Sequence, residues 1–329
     1  MDDNLFKSLG YFSSVNNVDD PLFLGYETKE VDGAGHKAVY PLVVGNNLFI
    51  DNTYHLHSRP GQTQLVDLPG HSIWTNGDNS ICLFVYNQHL YLLQSDYTYV
   101  SLLSLAVNNR MSYWEWNDRI YFSNGVDIGY YKNGSLFTIT APTVMHSNAM
   151  PSGVPGISLM QYKKPMPPGQ HLAVYRGHLL SAAGKVLYVS DPMSDCYDVR
   201  GSISGTGRSY IPFNDDITMV RPVDEGIFVA DGNTWFLKGQ SFEEMEKKLV
   251  DGFPVIPFTD IQVDGSLIEK NGEGNWAMWM SSDGISVGNN AGTVVNLTKW
   301  VYTIPDSPIG AAIARNEEGL VQYIGTIKQ

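Results

Sequence analysis

Leu172-Ala173-Val174-Tyr175, Arg176-Gly177-His178 and Leu179-Leu180-Ser181-Ala182-Ala183 follow one another as strand, tight turn and returning strand. Short apolar or alternating runs closed by glycine- or asparagine-rich turns are the sequence mark of β-hairpins. The same figure recurs along the chain. Ile81–Tyr86 turns at Asn87-Gln88 into Leu90–Leu93, and Met111–Trp116 turns at Asn117-Asp118-Arg119 into Ile120–Ser123. Ile217–Pro222 turns at Asp224-Glu225-Gly226 into Ile227–Ala230, and Trp276–Met280 turns at Ser282-Asp283-Gly284 into Ile285–Val287. Ala311–Arg315, Asn316–Gly319 and Leu320–Tyr323 form the last unit.

Several units continue through a second turn. Asp231-Gly232-Asn233 leads into Thr234–Leu237, and Lys132-Asn133-Gly134 into Ser135–Thr140. Asn-Gly and Asp-Gly pairs suit two-residue hairpins, whose central positions need positive φ. Each unit is therefore a three- or four-stranded antiparallel meander. Repeated meanders predict an all-β fold, a β-propeller of about 5–7 blades in which no blade buries both faces alone. The alternative is two packed β-sandwich-like domains, divided near a proline-rich stretch. A strand at Val39–Val44 is expected to complete the blade begun by Leu320–Ile324 and close the ring. The domain reading is an N-terminal arm over residues 1–37 and a propeller over 38–329.

Two segments depart from the pattern. Ala141–Gln170 holds six prolines and four methionines, which makes it a long insertion. As a docking arm it would offer Met150, Pro151, Met160, Tyr162, Lys163, Lys164, Met166 and Pro167 to a protein partner, an adaptable apolar surface edged with charge. Ser241–Val250 reads as the one short helix. Ser241 with Glu244 makes a capping box, and Glu243 and Glu244 precede Lys247 and Lys248 in accord with the helix dipole.

The 329 residues are 43% hydrophobic and 17% charged, enough apolar material for a large core. The net charge of −13 argues against a duplex nucleic-acid binder, which needs clustered Lys and Arg to release counterions. Cys82 and Cys196 belong to no metal motif and are too few for a disulfide framework, so they read as buried or half-buried thiols. The start Met1-Asp2-Asp3-Asn4 carries no signal-peptide pattern, and the apolar runs are too short for a membrane helix.

Catalytic signatures are sparse. His55-Leu56-His57 could face one ion from a strand, but only Asp51 stands by to finish a site, so both histidines read as turn or surface residues. Gly201–Gly207 is glycine-rich without the Lys-Ser/Thr of a phosphate loop. Ser281–Gly284 only faintly matches the Asp-box turn of sialidase propellers. Carboxylates (Asp215, Asp216, Asp224, Asp260, Asp264) and tryptophans (Trp114, Trp116, Trp276, Trp279) are numerous. Number alone builds no acid/base pair, and arginine is too scarce to grip an anionic sugar. No cofactor, metal or small-molecule substrate is expected.

Certain stretches together resemble a family. Arg59-Pro60-Gly61 follows the first strands, and the Ile81–Leu93 hairpin comes next. Tyr175-Arg176-Gly177-His178-Leu179-Leu180-Ser181-Ala182-Ala183-Gly184-Lys185-Val186-Leu187-Tyr188-Val189-Ser190-Asp191-Pro192 is followed by Ile217-Thr218-Met219, Pro222-Val223, Gly226-Ile227 and the strand ending Trp235-Phe236-Leu237. Over residues 40–325 this pattern resembles propeller-like tail-hub or head-to-tail joining proteins of tailed bacteriophages, of the packaged-DNA stabilisation type. The resemblance implies a non-enzymatic virion component, made in the host cytoplasm, that forms a ring with copies of itself. Portal, adaptor or other tail proteins would be its neighbours, with DNA passing nearby without specific binding. No catalytic residue is carried over. A carbohydrate- or receptor-binding tail propeller is the alternative, and a propeller glycoside hydrolase the third option.

Overall fold

Arg176 and Gly177 sit at φ of 48° and 77°, and Asn117 and Asp118 at 52° and 56°. Both pairs thus have the double positive φ that lets a two-residue turn follow the twist of its strands. The computed structural model describes residues 68–140, 163–199, 209–269, 271–298, 303–314 and 322–328, together with the course of a few further strands.

Five four-stranded antiparallel sheets follow one another in the chain. Blade I comprises His71–Thr75, Cys82–Tyr86, His89–Leu93 and Tyr99–Ser104. Blade II comprises Ser112–Trp116, Arg119–Ser123, Ile128–Lys132 and Ser135–Thr138. Blade III comprises His171–Tyr175, His178–Ala183, Val186–Val189 and Tyr210–Pro212. Blade IV comprises Met219–Pro222, Ile227–Ala230, Thr234–Lys238 and Glu246–Asp251. Blade V comprises Ile261–Asp264, Asn275–Ser281, Gly284–Gly288 and Val294–Asn296. A terminal hairpin, Gly310–Glu317 with Leu320–Ile327, follows.

The first strands of blades II to V and of the hairpin lie beside one another in turn, so they surround an axis. Core clusters sit between consecutive blades, as a radial stack of two-faced sheets requires. Leu83, Val85 and Leu90 of blade I meet Tyr113 and Phe122 of blade II. Tyr121 of blade II meets Leu172 and Leu179 of blade III. Leu180 and Leu187 meet Val220 and Val229 of blade IV, whose Met219 and Phe228 meet Trp279 of blade V. Val263 and Trp276 of blade V meet Ala312 and Tyr323 of the hairpin. Blades II to V are thus each covered on two faces by their neighbours, which is a β-propeller and not a pair of sandwiches.

One sequence expectation is corrected. Ser241–Val250 is no helix: Glu246–Asp251 is the outermost strand of blade IV, paired with Thr234–Lys238. A ten-residue helix is marginal on its own, whereas the open edge of a sheet offers a ready ladder. The preceding Phe242 and Met245 are buried between blades III and IV, with the Phe242 ring 4.9 Å from that of His178. Lys247 donates to the carbonyl of Pro212 and lies 4.6 Å over the ring of Phe213. The expected closing strand Val39–Val44 lies mostly outside the described residues. Tyr40–Pro41 pairs with Tyr11–Phe12, and among the described pairings Leu320–Ile327 pairs only with Gly310–Glu317.

The glycine-rich stretch falls within blade III. Ser202–Ile203 and Gly207–Arg208 form a small hairpin between the third and fourth strands of blade III. No helix among the described residues is long and apolar enough to cross a membrane.

Candidate functional site

Two polar clusters stand out, one on the axis and one on the rim. On the axis, Arg221 of blade IV reaches Asp260, which precedes the first strand of blade V. Its Nη2 lies 2.7 Å from Asp260 Oδ2, its Nε donates to the same oxygen at 2.9 Å, and Nη2 also donates to the Asp260 carbonyl. The guanidinium lies 5.5 Å over the ring of Trp114, from the first strand of blade II. Blades II and IV are not neighbours in the ring, so this contact crosses the axis.

His171 opens the first strand of blade III, and its ring stacks on Phe258 at 4.7 Å. Phe258 holds φ of 65°, a left-handed backbone that costs a non-glycine residue roughly 1–2 kcal/mol. His171 Nε2 is buried without a hydrogen-bond partner. Burial brings the imidazole pKa from 6.5 down to about 4, against the pull of Asp260 and with the push of Arg221. Tyr323 of the terminal hairpin donates to the carbonyl of Thr259 at 2.6 Å. Residues from blades II to V and from the hairpin therefore converge here.

The chemistry of this cluster is cohesive. Hydrolysis of a glycosidic bond needs two carboxyl groups free to act as acid and as base or nucleophile. Asp260 has its charge taken by Arg221, and His171 Nε2 has no hydrogen-bond partner to orient it. Among the described residues no group of three or more His, Cys, Asp or Glu is placed to hold a metal ion. The side chains of His55 and His57 lie outside the described residues.

On the rim, Lys163–Pro165 pairs with Cys196–Asp198, Lys163 standing opposite Asp198. This two-stranded satellite is bolted to the propeller by charge. Lys163 Nζ lies 2.5 Å from Asp191 and 3.4 Å from Asp198, whose side chain is fully buried. Arg119 of blade II donates to Asp195 at 3.0 Å and lies 4.4 Å over the ring of Tyr130. The thiol of Cys196 is buried, which pushes its pKa up to about 11, with Asp195 adding to the rise. That thiol donates to the carbonyl of Thr140. Cys82 is half-buried and also free.

The satellite decides the place of the predicted docking residues. Met150, Pro151, Met160 and Tyr162 lie outside the described residues. Lys163 is spent on Asp191 and Asp198, whereas Lys164 is exposed. Met166 is not a surface residue: it is 1% exposed and fills the core between blades II and III. An unbranched thioether fits such an irregular gap, and its amide donates to the carbonyl of Asp195. Pro167 is half-buried and its carbonyl accepts from Ser181. Exposed apolar surface falls instead on Met193, 66% exposed at a φ of 55°.

Sequence reasoning missed Asp191, Asp195 and Asp198. Three aspartates within one stretch, facing Lys163-Lys164 elsewhere in the chain, were the available signal. Nothing local marked Arg221, Asp260 or His171.

No family model matches the chain, and no curated protein matches it. Among solved structures, the N-terminal domain of Nup159 is similar at 9% identity and a TM-score of 0.45, over 86% of this chain and 89% of that one. A streptogramin B lyase is similar at 8% identity and 0.44, over 79% and 76%. A gluconolactonase from Xanthomonas campestris is similar at 10% and 0.41, over 79% and 86%. At this level the likenesses assign no function to this chain.

Proposed function

We propose that this chain is a non-enzymatic structural protein of a tailed-phage virion. It stands at the tail or the head-to-tail junction, in a ring with copies of itself and beside portal, adaptor or other tail proteins. The observation that carries the reading is the clamp on the rim. Both ends of the proline- and methionine-rich segment meet the satellite: Thr140 accepts from Cys196, and Lys163 pairs with Asp198. A segment whose two ends are fixed to a rigid edge makes a defined docking element, at less entropic cost than a free tail. The axis supports the same reading, because the Arg221–Asp260 pair is satisfied internally and serves to join blades. The phage setting rests on the sequence resemblance. A net charge of −13 suits a protein beside passing DNA, since like charges do not adhere.

Reconstruction of purified particles tests the proposal. Several copies arranged around the DNA exit are expected. Absence from the particle, or a place on a receptor-binding fibre, would overturn it.

A further inference from the structure

Among the described pairings the terminal hairpin is half a blade. Its first strand, Gly310–Glu317, lies beside Ile261–Asp264 of blade V, and the Gly310 amide donates to the Pro257 carbonyl at 2.9 Å. It therefore takes the inner position that the first strand holds in blades II to V. Leu320–Ile327 is then the second strand, and each of the five complete blades carries two more beyond that point. Its sequence, Leu-Val-Gln-Tyr-Ile-Gly-Thr-Ile, holds none of the lysines, prolines or inward charges that protect a natural sheet edge. A long uncharged edge of this kind is a template for strand addition.

The opposite side of the gap is open in part, with Tyr99 43% exposed although Phe84 is buried. The face of blade I turned away from blade II carries Phe84, Tyr91 and Tyr99. The first two rings stack at 5.4 Å, and Tyr99 meets Tyr91 edge-on at 5.4 Å. The described interfaces from blade I to the hairpin are each filled by a core cluster.

One hairpin stands immediately before blade I. Leu48–Ile50 pairs with Leu56–Ser58, in the register Leu48 opposite Ser58. In blades I, III and IV the fourth strand leads by a short connection to the first strand of the next blade. Ser58 is separated from the start of blade I at His71 by almost the same length of chain that separates Asn296 from Gly310. Leu48-Phe49-Ile50 and Leu56-His57-Ser58 carry no carboxylate or ammonium, matching the uncharged edge.

We propose that the Leu48–Ile50 and Leu56–Ser58 hairpin of the same chain adds to the free edge of Leu320–Ile327, as third and fourth strands of a sixth blade. The two ends of the chain are thereby locked together. This places the closing strands beyond Val39–Val44, in a hairpin and not a single strand.

Hydrogen–deuterium exchange on the full chain tests it. In the unmodified protein, Leu320–Ile327 should exchange as slowly as the interior strand Ile227–Ala230, at every protein concentration. Exchange as fast as an open edge would overturn the proposal, and so would protection lost on dilution, which means that a second copy supplies the strand. Phe49→Pro removes a ladder donor and should speed exchange of Leu320–Ile327 by at least about tenfold, with His178–Ala183 unchanged. Unchanged protection in that variant, or the same loss from Tyr40→Pro alone, would also overturn it. Should Phe49→Pro fail to fold, the unmodified chain still decides.

Discussion

The axis and the rim of this propeller use the same elementary interaction, a cation against aspartate, for different ends. At the axis the cation is Arg221, whose planar fork binds the carboxylate and the main chain of Asp260 together and lies over Trp114. At the rim it is Lys163, a compact charge shared between Asp191 and Asp198. An arginine fork fixes orientation as well as distance, whereas a lysine neutralises charge from any direction. The axial pair therefore sets how blades stand to one another, and the rim pair holds down an appendage. Damage at the axis should be felt by the whole ring; damage at the rim should stay local.

Asp260→Ala is the most severe way to break this contrast. It strands the Arg221 guanidinium in a mostly buried place, and removing one partner of such a pair costs about 3–5 kcal/mol. Global thermal unfolding should fall sharply. A loss under about 1 kcal/mol would mean that the axis is not held by this pair.

Acid should strike the axis next. With a folded-state pKa of about 4 against the ordinary 6.5, His171 binds its proton more readily in the unfolded chain. Its contribution to stability is thus full above about pH 6.5, falls as pH drops through that window, and levels off below about 4. The span corresponds to about 3 kcal/mol. Urea unfolding midpoints followed across this range should flatten in His171→Phe relative to the unmodified chain. Parallel curves would remove His171 from the account.

Lys163→Met sharpens the rim side. It leaves Asp198 buried without its lysine, and about 2 kcal/mol of local stability should be lost. Hydrogen exchange should accelerate in Cys196–Asp198 while Ile227–Ala230 in blade IV stays protected. An equal loss in blade IV would erase the distinction between the two regions. The smallest effect belongs to Glu225→Ala. Its partner Lys238 and Glu225 itself are both more than half exposed, and solvent screening leaves such a pair about 0.5 kcal/mol or less. A calorimetric shift larger than that of Lys163→Met would invert the ranking.

Much of the fold was legible in the chain because its signals are local. The turns at Asn87-Gln88, Asn117-Asp118 and Arg176-Gly177 were placed correctly, since positive φ at both central positions is a demand on two adjacent residues. Tyr113 and Trp114 alternate along one strand, so they point to opposite faces, Tyr113 to Trp74 of blade I and Trp114 to Arg221 at the axis. The segment Ser241–Val250 misled for the complementary reason. Its capping box and charge order are real local preferences, but the free edge of Thr234–Lys238 and the gap filled by Phe242 lie outside the segment. Met166 misled likewise: a methionine among prolines looks like surface until the space between blades II and III is known.

The sequence by itself therefore determined that this protein is a series of antiparallel meanders, since strand, turn and returning strand are decided within about a dozen residues. It also determined that no ready catalytic or metal motif is written in one stretch. Only the tertiary structure decided that Arg221, Asp260, Trp114 and His171 meet on one axis, and that Lys163 is bound to aspartates on the far side of blade III's first three strands. Those contacts join residues from different blades. They depend on how sheets stack around the ring, which no local spacing encodes.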